Sequence, residues 1–388
     1  MNKNIYLDHA ATTPVAKEVL TEMLPYFSEK FANPGSLHYP GLEANKAVNQ
    51  AREKIAKILN CNADEIIFTS GGTESVNLAI KGIALDKKKG HIITSKIEHP
   101  AVLETCRFLE KNGFEVTYVN VDNEGIINLK ELEKAIRKET ILISIMYANN
   151  EIGTIQPIKE ISKIAKKNKI LFHTDACQAA GLDLDIKCVD LMTLNGGKIY
   201  GPKGIGILYK KKEVKLQPLI HGGGQEQGLK SGTENVSCII GFAKALELVQ
   251  KNKDQENERL IELREDFIET VLKEIPKSFL NGHKTNRLAN NANISFLDIE
   301  GESILLHLNE KGIYVSTGSA CSSNKLEVSH VLDALGLKHD AAHGSIRFTF
   351  GKSTTKKDLD YVVKELKIII DSLRKLSPIH LNKEDIRK

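Results

Sequence analysis

The sequence predicts an α/β protein with a large, mainly parallel sheet and a smaller α+β domain toward its C-terminus. From about residue 45, short β-branched runs alternate with helical patterns, the signature of βαβ units that cover a sheet on both faces. A long amphipathic stretch beginning near Ile239 then separates this part from a second set of strand-like and helical segments. The chain has 388 residues, whereas single cores rarely grow past ~250 residues.

In chain order, Asn49 to Leu59 is helical in period, Glu65 to Thr69 reads as a strand and Thr73 to Ile83 as a helix. The cycle repeats with strand HIITS, helix His99 to Lys111, strand FEVTYV, helix Leu129 to Arg137, strand ILISIMY, helix Ile158 to Lys167 and strand ILFHT. Past the long stretch, ANISFLDI, IYVS and GSIRFTF are strand-like, and ESILLHLNE, SHVLDALG and TKKDLDYVVKELKIIIDSLRKL are helical. The expected domains are 14–255, and 1–13 plus 256–388.

Composition narrows the function classes. Hydrophobic content of 41%, charged content of 27% and a net charge of +4 describe an ordinary globular chain. The lysines are dispersed among acidic residues, so no nucleic-acid partner is expected. No apolar run approaches the ~18 residues of a membrane span, and the N-terminus MNKNIYLDHAATTPV lacks a targeting pattern. A cytoplasmic location without membrane contact follows as the expectation. The six cysteines show no CxxC pair and no zinc-like Cys/His spacing. They are read as free thiols and no metal is expected.

Five constellations can carry chemistry, each with a plain structural alternative. SGGTES, Ser70 to Ser75, joins a strand to a helix, where its glycines let the backbone approach an anion and the helix N-terminus can cradle a phosphate; an ordinary turn with Thr73 or Ser70 as N-cap also fits. Asp175 closes an apolar strand, where open α/β sheets place ligands and where a carboxylate can keep a pyridinium nitrogen protonated. It also suits a turn, and Gln178 suits a ring-oxygen donor or a helix start. Lys198, in LNGGKIYGPKG, lies in a tight glycine-rich loop where a desolvated amine can form a Schiff base; Lys203, between Pro202 and Gly204, is its rival and reads more as a turn. Cys321, among the small polar residues STGSACSSNKLE, is the cysteine expected to be accessible, as a thiolate nucleophile must be. An incidental loop cysteine is the alternative; the other five, in or beside apolar segments, read mostly as buried small hydrophobes. Arg347, in GSIRFTF, can grip a carboxylate or lie exposed on a strand, and His99 can stack on a flat ring and shuttle protons or merely cap a helix.

Taken together, YLDHAATTP, NPGSLH, FTSGGTES, SKIEHPAV, ANNEIGTIQPI, HTDACQ, GKIYGPKGIG, HGGGQEQGLKSGTEN, GESILLHL, STGSACSS and SIRFTFG resemble, in order and over nearly the whole chain, the cysteine desulfurase family of fold-type-I pyridoxal-phosphate enzymes. The resemblance implies pyridoxal 5'-phosphate as cofactor and conversion of L-cysteine to L-alanine, with the sulfur carried as a persulfide on Cys321. It implies that Lys198 forms the Schiff base, Asp175 pairs with the ring nitrogen, Gln178 meets the ring oxygen, and His99 stacks on the ring and handles the substrate-thiol proton. Gly72, Thr73, Asn195 and Gly197 would surround the phosphate, Asn150 would meet both cofactor and substrate, and Arg347 would hold the substrate carboxylate. Thr233 resembles the residue that reaches a neighbouring subunit's phosphate, implying a homodimer. The Cys321 loop resembles that of the subgroup delivering sulfur to iron–sulfur scaffold proteins, where the cysteine can also ligate a cluster transiently.

The sequence departs from this family at three points. Gly197 stands where the family usually has histidine, Asn195 where it has serine, and Lys230-Ser231-Gly232-Thr233 where it has Arg-Ser-Gly-Thr. Losing the imidazole donor weakens phosphate anchoring by about 1.5–3 kcal/mol if nothing replaces it. The amides of Gly196 and Gly197 are the expected substitutes, and loose cofactor binding is the expected result. The rival readings are a selenocysteine lyase or aminotransferase of the same superfamily, and a catalytically weakened relative serving as an iron–sulfur assembly platform.

Overall fold

The computed structural model describes residues 4–317, 328–378 and 380–388. The N-terminal part runs β1 (Ile5–Tyr6), α1 (Lys17–Met23), α2 (Pro25–Ser28), α3 (Tyr39–Leu59), β2 (Ile66–Thr69), α4 (Gly72–Lys87), β3 (His91–Ser95), α5 (Pro100–Glu110) and β4 (Glu115–Val119). It continues with α6 (Leu129–Ala135), β5 (Thr140–Ser144), α7 (Ile158–Lys167), β6 (Leu171–Asp175), β7 (Leu191–Asn195) and β8 (Gly206–Lys210). The helix α8 (Val236–Glu274) leads to β9 (Ser278–Asn281), β10 (Asn291–Phe296), α9 (Gly301–Glu310), β11 (Ile313–Tyr314) and β12 (Ser316–Thr317). After them come α10 (His330–Ala334), α11 (His339–His343), β13 (Ser345–Thr349) and α12 (Lys356–Leu376).

The large sheet has the order β2-β8-β7-β6-β5-β3-β4. All neighbouring pairs from β7 to β4 are parallel, while β8 is antiparallel to both β7 and β2. It follows that β2 points the same way as β7. The carboxyl ends of β2, β3, β5, β6 and β7 therefore share one edge, and each leads into a segment singled out in the sequence. The strands are buried on both faces by period-two alternation. Ile66 and Phe68 join one core with α3, α7 and the start of α8; Ile67 joins the other with α4 and α5.

The smaller sheet, β12-β13-β10-β9, is antiparallel. Helix α8 passes unbroken through residue 255, but its buried apolar residues up to Leu246 pack in a large-domain core and those from Leu260 in the small-domain core. Ile5 and Leu7 belong to the latter, because β1 pairs with β11.

Several boundaries differ from the sequence expectation for identifiable reasons. Helix α3 starts at Tyr39 because His38 Nδ1 caps the Gly41 amide (3.2 Å) and Pro40 occupies the first turn. Helix α8 starts at Val236, with Asn235 Oδ1 accepting from the Cys238 amide (3.3 Å). Strands β7, β8 and β9 are additions to the reading. Their short runs carry no helical neighbour on at least one side, so the strand–helix alternation does not point to them.

Candidate functional site

The shared strand edge gathers the candidate residues of the large domain. At the end of β6, Asp175 is buried and its Oδ1 accepts from the Cys177 amide (3.0 Å), the tight turn that aims Gln178 back over the edge. Gln178 Nε2 donates to the Ala10 carbonyl (3.0 Å), and Lys198 Nζ donates to that same carbonyl (2.5 Å) and to Ala11 (3.0 Å). One carbonyl of the N-terminal segment thus brings together two side chains from different strand ends. Lys203 lies in an exposed turn, so the amine on the cleft is that of Lys198.

The segment Asp8–Thr13 is a strap between the two domains. Thr13 N and Oγ1 both donate to the Gly197 carbonyl (2.8 and 3.1 Å), and Thr13 Oγ1 accepts from the Tyr200 amide (2.7 Å). At its other end the Ala10 amide donates to Thr349 Oγ1 (2.9 Å) on β13. Its position explains why DHAATTP reads as a motif although it forms no regular element.

The N-terminus of α4 is the candidate anion cradle. Gly71, its N-cap, has φ +152° and no side chain to cap the first amides, so the positive end of this sixteen-residue helix is open to an anion. A Cβ on Gly72 would lie 2.7 Å from Cys177 Sγ, so any larger residue there would force that thiol to move; it would also lie 3.8 Å from Asn195 Nδ2. That amide donor therefore stands beside the helix start, while Asn195 Oδ1 accepts from the Gly197 amide (3.2 Å). Thr73, in the first turn, is exposed.

One expectation is corrected here. The amides of Gly196 and Gly197 do not replace the missing imidazole, since Gly196 N donates to the Ile205 carbonyl (3.0 Å) and Gly197 N to Asn195. A Cβ at Gly197 would meet nothing closer than Lys203 Cγ at 3.5 Å. The position is open rather than sterically closed.

His99 is the N-cap of α5, its Nδ1 accepting from the Ala101 amide (3.1 Å). Burial lowers its pKa, Asp175 opposes that effect, and Lys198 and His330 add to it. The neutral ring with Nδ1 occupied carries its proton on Nε2, so His99 presents a donor. The neighbouring Glu98, absent from the sequence reading as a functional candidate, is fully buried. Its Oε1 accepts from Ser95 Oγ (2.6 Å) and the Met146 amide (3.0 Å), and Oε2 has no partner. Burial raises its pKa to about 8, so it is a neutral acid at pH 7.

On the small-domain side, Arg347 is 5% exposed, not a surface strand arginine. Its Nη2 donates to Asp8 Oδ1 (2.7 Å) and its Nη1 to the Asn150 carbonyl (3.1 Å), while Nε is buried without a partner. A guanidinium has five N–H donors, so donors remain for a carboxylate. Next to Asn150, Glu151 is buried, accepts from Ser329 Oγ (2.5 Å), and has a pKa raised to about 7, chiefly by burial. Asp8 and Glu151 are further residues of this wall that the sequence reading did not assign; the acid inside ANNEIG was the available signal for the second.

Thr233 is exposed in the turn preceding α8, among Lys230, Gly232 and Glu234. Cys321 lies outside the described residues. Among the other cysteines only Cys106 is buried; Cys61, Cys177, Cys188 and Cys238 are partly exposed, which corrects the expectation for most of them. Burial nevertheless raises the pKa of each, Cys61 and Cys106 to about 12. None is a thiolate at pH 7.

The site fits pyridoxal phosphate by its donor set: an uncapped helix start for the phosphate, a lysine amine, a buried carboxylate at a strand end and an Nε2–H imidazole near both. Among the described residues no helix is long and apolar enough to cross a membrane. The family model for aminotransferase class-V matches residues 5–362. A cysteine desulfurase IscS of Dictyoglomus turgidum is 57% identical over 97% of this chain and 97% of its own, and one of Methanosarcina thermophila is 55% identical over 97% and 95%. Among solved structures, a NifS-like protein superimposes with a TM-score of 0.90 at 41% identity, covering 96% of this chain and 100% of that one. A structure described as SspA in complex with cysteine has a TM-score of 0.78 at 40% identity, covering 89% and 99%. With its strand-edge lysine, carboxylate and anion cradle in the family order, the chain belongs to the cysteine desulfurase group of the class-V aminotransferase family.

Proposed function

We propose that this chain is a cytoplasmic, pyridoxal-phosphate-dependent cysteine desulfurase that converts L-cysteine to L-alanine and carries the sulfur as a persulfide on Cys321. The sulfur goes to an iron–sulfur scaffold or another acceptor protein. The observation that carries the reading is the shared edge of β2, β3, β5, β6 and β7, where Lys198, Asp175, Gln178, His99 and the α4 N-terminus converge.

Lys198 would hold the cofactor aldehyde, Asp175 its ring nitrogen, Gln178 its ring oxygen, and Gly72, Thr73 and Asn195 its phosphate. When bound, the cofactor supplies an electron sink for the charge left at the substrate Cα. Lys198 Nζ would also serve as the base for the Cα proton. The remaining donors of Arg347, with the Asn150 side chain, hold the substrate carboxylate and fix the Cβ–S bond, which removes orientational entropy from the barrier. His99 acts first as a donor, through Nε2–H; to act as a base it must give up its cap on Ala101. The Cys321 thiolate attacks the substrate sulfur, the new S–S bond forms as Cβ–S breaks, and the carbon side keeps the electron pair and is protonated to alanine.

The chain acts as a homodimer in this reading. Leu24, Phe27, Phe31, Leu37 and Tyr39 leave large apolar side chains exposed along one stretch, Leu37 at 90% and Tyr39 at 89%, as interfaces do. Thr233 is exposed as a residue serving a neighbouring site must be. Mass spectrometry of the cofactor-loaded protein after L-cysteine addition tests the proposal. One sulfur atom added to the Cys321 peptide supports it, and an unmodified Cys321 peptide during alanine production opposes it.

A further inference from the structure

Outside the cleft, His339 and His343 stand at i and i+4 on α11, one above the other on the same helix face. Their ring centroids are 4.2 Å apart and their Nε2 atoms 3.1 Å apart. Two imidazole nitrogens bound to one ion at ~2.0–2.1 Å, with a ligand angle between square and tetrahedral, are separated by roughly 2.9–3.4 Å. The observed separation falls within that interval with neither ring turned.

One further feature fits a cation there. Asp340 Oδ1 lies 3.5 Å from His339 Nδ1, the nitrogen opposite the paired one. The exposed carboxylate adds negative charge beside the histidine pair. The frame is fixed: Ala341 and Ala342 between the histidines are buried, and the following Gly344 carbonyl accepts from the Phe296 amide (2.9 Å).

We propose that His339 and His343 form a surface site for a divalent first-row metal of the nickel, copper or zinc type, with water completing its coordination. Imidazole nitrogen suits these ions. Among the described residues no group of three or more His, Cys, Asp or Glu side chains is placed to hold a metal, so the site is open and its ion exchangeable. It lies on the exposed side of the small domain and is separate from the chemistry assigned to the cleft.

The test is calorimetric titration of Ni(II) into untagged, cofactor-loaded protein, comparing the wild type with His339→Gln, His343→Gln and Asp340→Asn. One ion per chain is expected, weakened more than ~10-fold by loss of either histidine and by less on loss of the Asp340 charge. His339 is exposed, so its variant folds and carries the test even if His343→Gln does not; the cofactor's visible absorbance monitors this. Unchanged Ni(II) affinity in His339→Gln would overturn the proposal by placing the ion elsewhere. No binding by the wild type would reduce the pair to a hydrogen bond.

Discussion

On the large-domain wall of the cleft, Asp175, Asn195 and Lys198 stand at or just beyond the ends of β6 and β7, each held by local turns or by the backbone of the N-terminal strap. On the small-domain wall, Arg347 lies inside β13, buried, and depends on Asp8, 339 positions away in sequence, and on the carbonyl of Asn150. The first arrangement places groups where strand polarity puts any α/β ligand site. The second spends a buried ion pair on a grip that exists only when both domains and the strap are assembled. The two walls should therefore fail differently: the first by losing chemistry, the second by losing substrate affinity.

The largest expected effect belongs to the first wall. Asp175→Asn cannot hold a proton on the ring nitrogen as a carboxylate does, and kcat should fall by roughly 100-fold or more with KM little changed. A steady-state assay of alanine formation measures the split, and an effect confined to KM would erase the contrast. Arg347→Met should do the reverse. Its loss of charge-assisted bonds, worth about 1.5–3 kcal/mol, should lower kcat/KM by roughly 10–200-fold, mainly through KM. Asp8→Asn should follow in the same direction with a smaller change, because it leaves the guanidinium in place.

Gly197→His sharpens the picture of the phosphate end. The position accepts a Cβ without a clash and the nearby amides are committed elsewhere, so wild-type cofactor binding should be loose. The imidazole should tighten it by about 1.5–3 kcal/mol, read by spectral titration of the apoprotein. Tight, full retention in the wild type would contradict this.

The effect of Glu98 is on stability rather than on catalysis. Its pKa in the folded protein, about 8 against an ordinary 4.5, is raised by burial. Below pH 4.5 both states are protonated and the group costs nothing. As pH rises toward 8, the unfolded chain binds fewer protons than the folded one, so stability falls by up to ~1.4 kcal/mol per pH unit. Glu98→Gln should therefore gain stability over the wild type progressively between pH 4.5 and 8 in urea titrations. A constant difference would mean that Glu98 ionises normally.

Legibility in the sequence followed the same division. Asp175 and Lys198 could be picked out because an apolar run or a glycine-rich loop marks a strand end locally. Gly72 was legible as a turn glycine, though its contact with Cys177 was not. Arg347 read as a strand residue more often exposed than buried, since its partner Asp8 is remote and only the fold joins them. Glu98 and Glu151 were passed over because a carboxyl with one polar and one apolar neighbour, Ile97 and His99 or Asn150 and Ile152, gives no periodic signal and acquires its meaning only on burial. The antiparallel β8, which turns β2 to face the same edge as β7, is likewise a pairing fact with no local mark. The family resemblance, not periodicity, linked the two walls before the structure did.

The most direct measurement is alanine formed from L-cysteine by the cofactor-loaded protein in the presence of a reductant, in the wild type beside Lys198→Ala and Cys321→Ala. Alanine from the wild type, and little from either variant, is the predicted result. Equal alanine from Cys321→Ala, or none from a wild type that visibly holds its cofactor, would contradict the assignment.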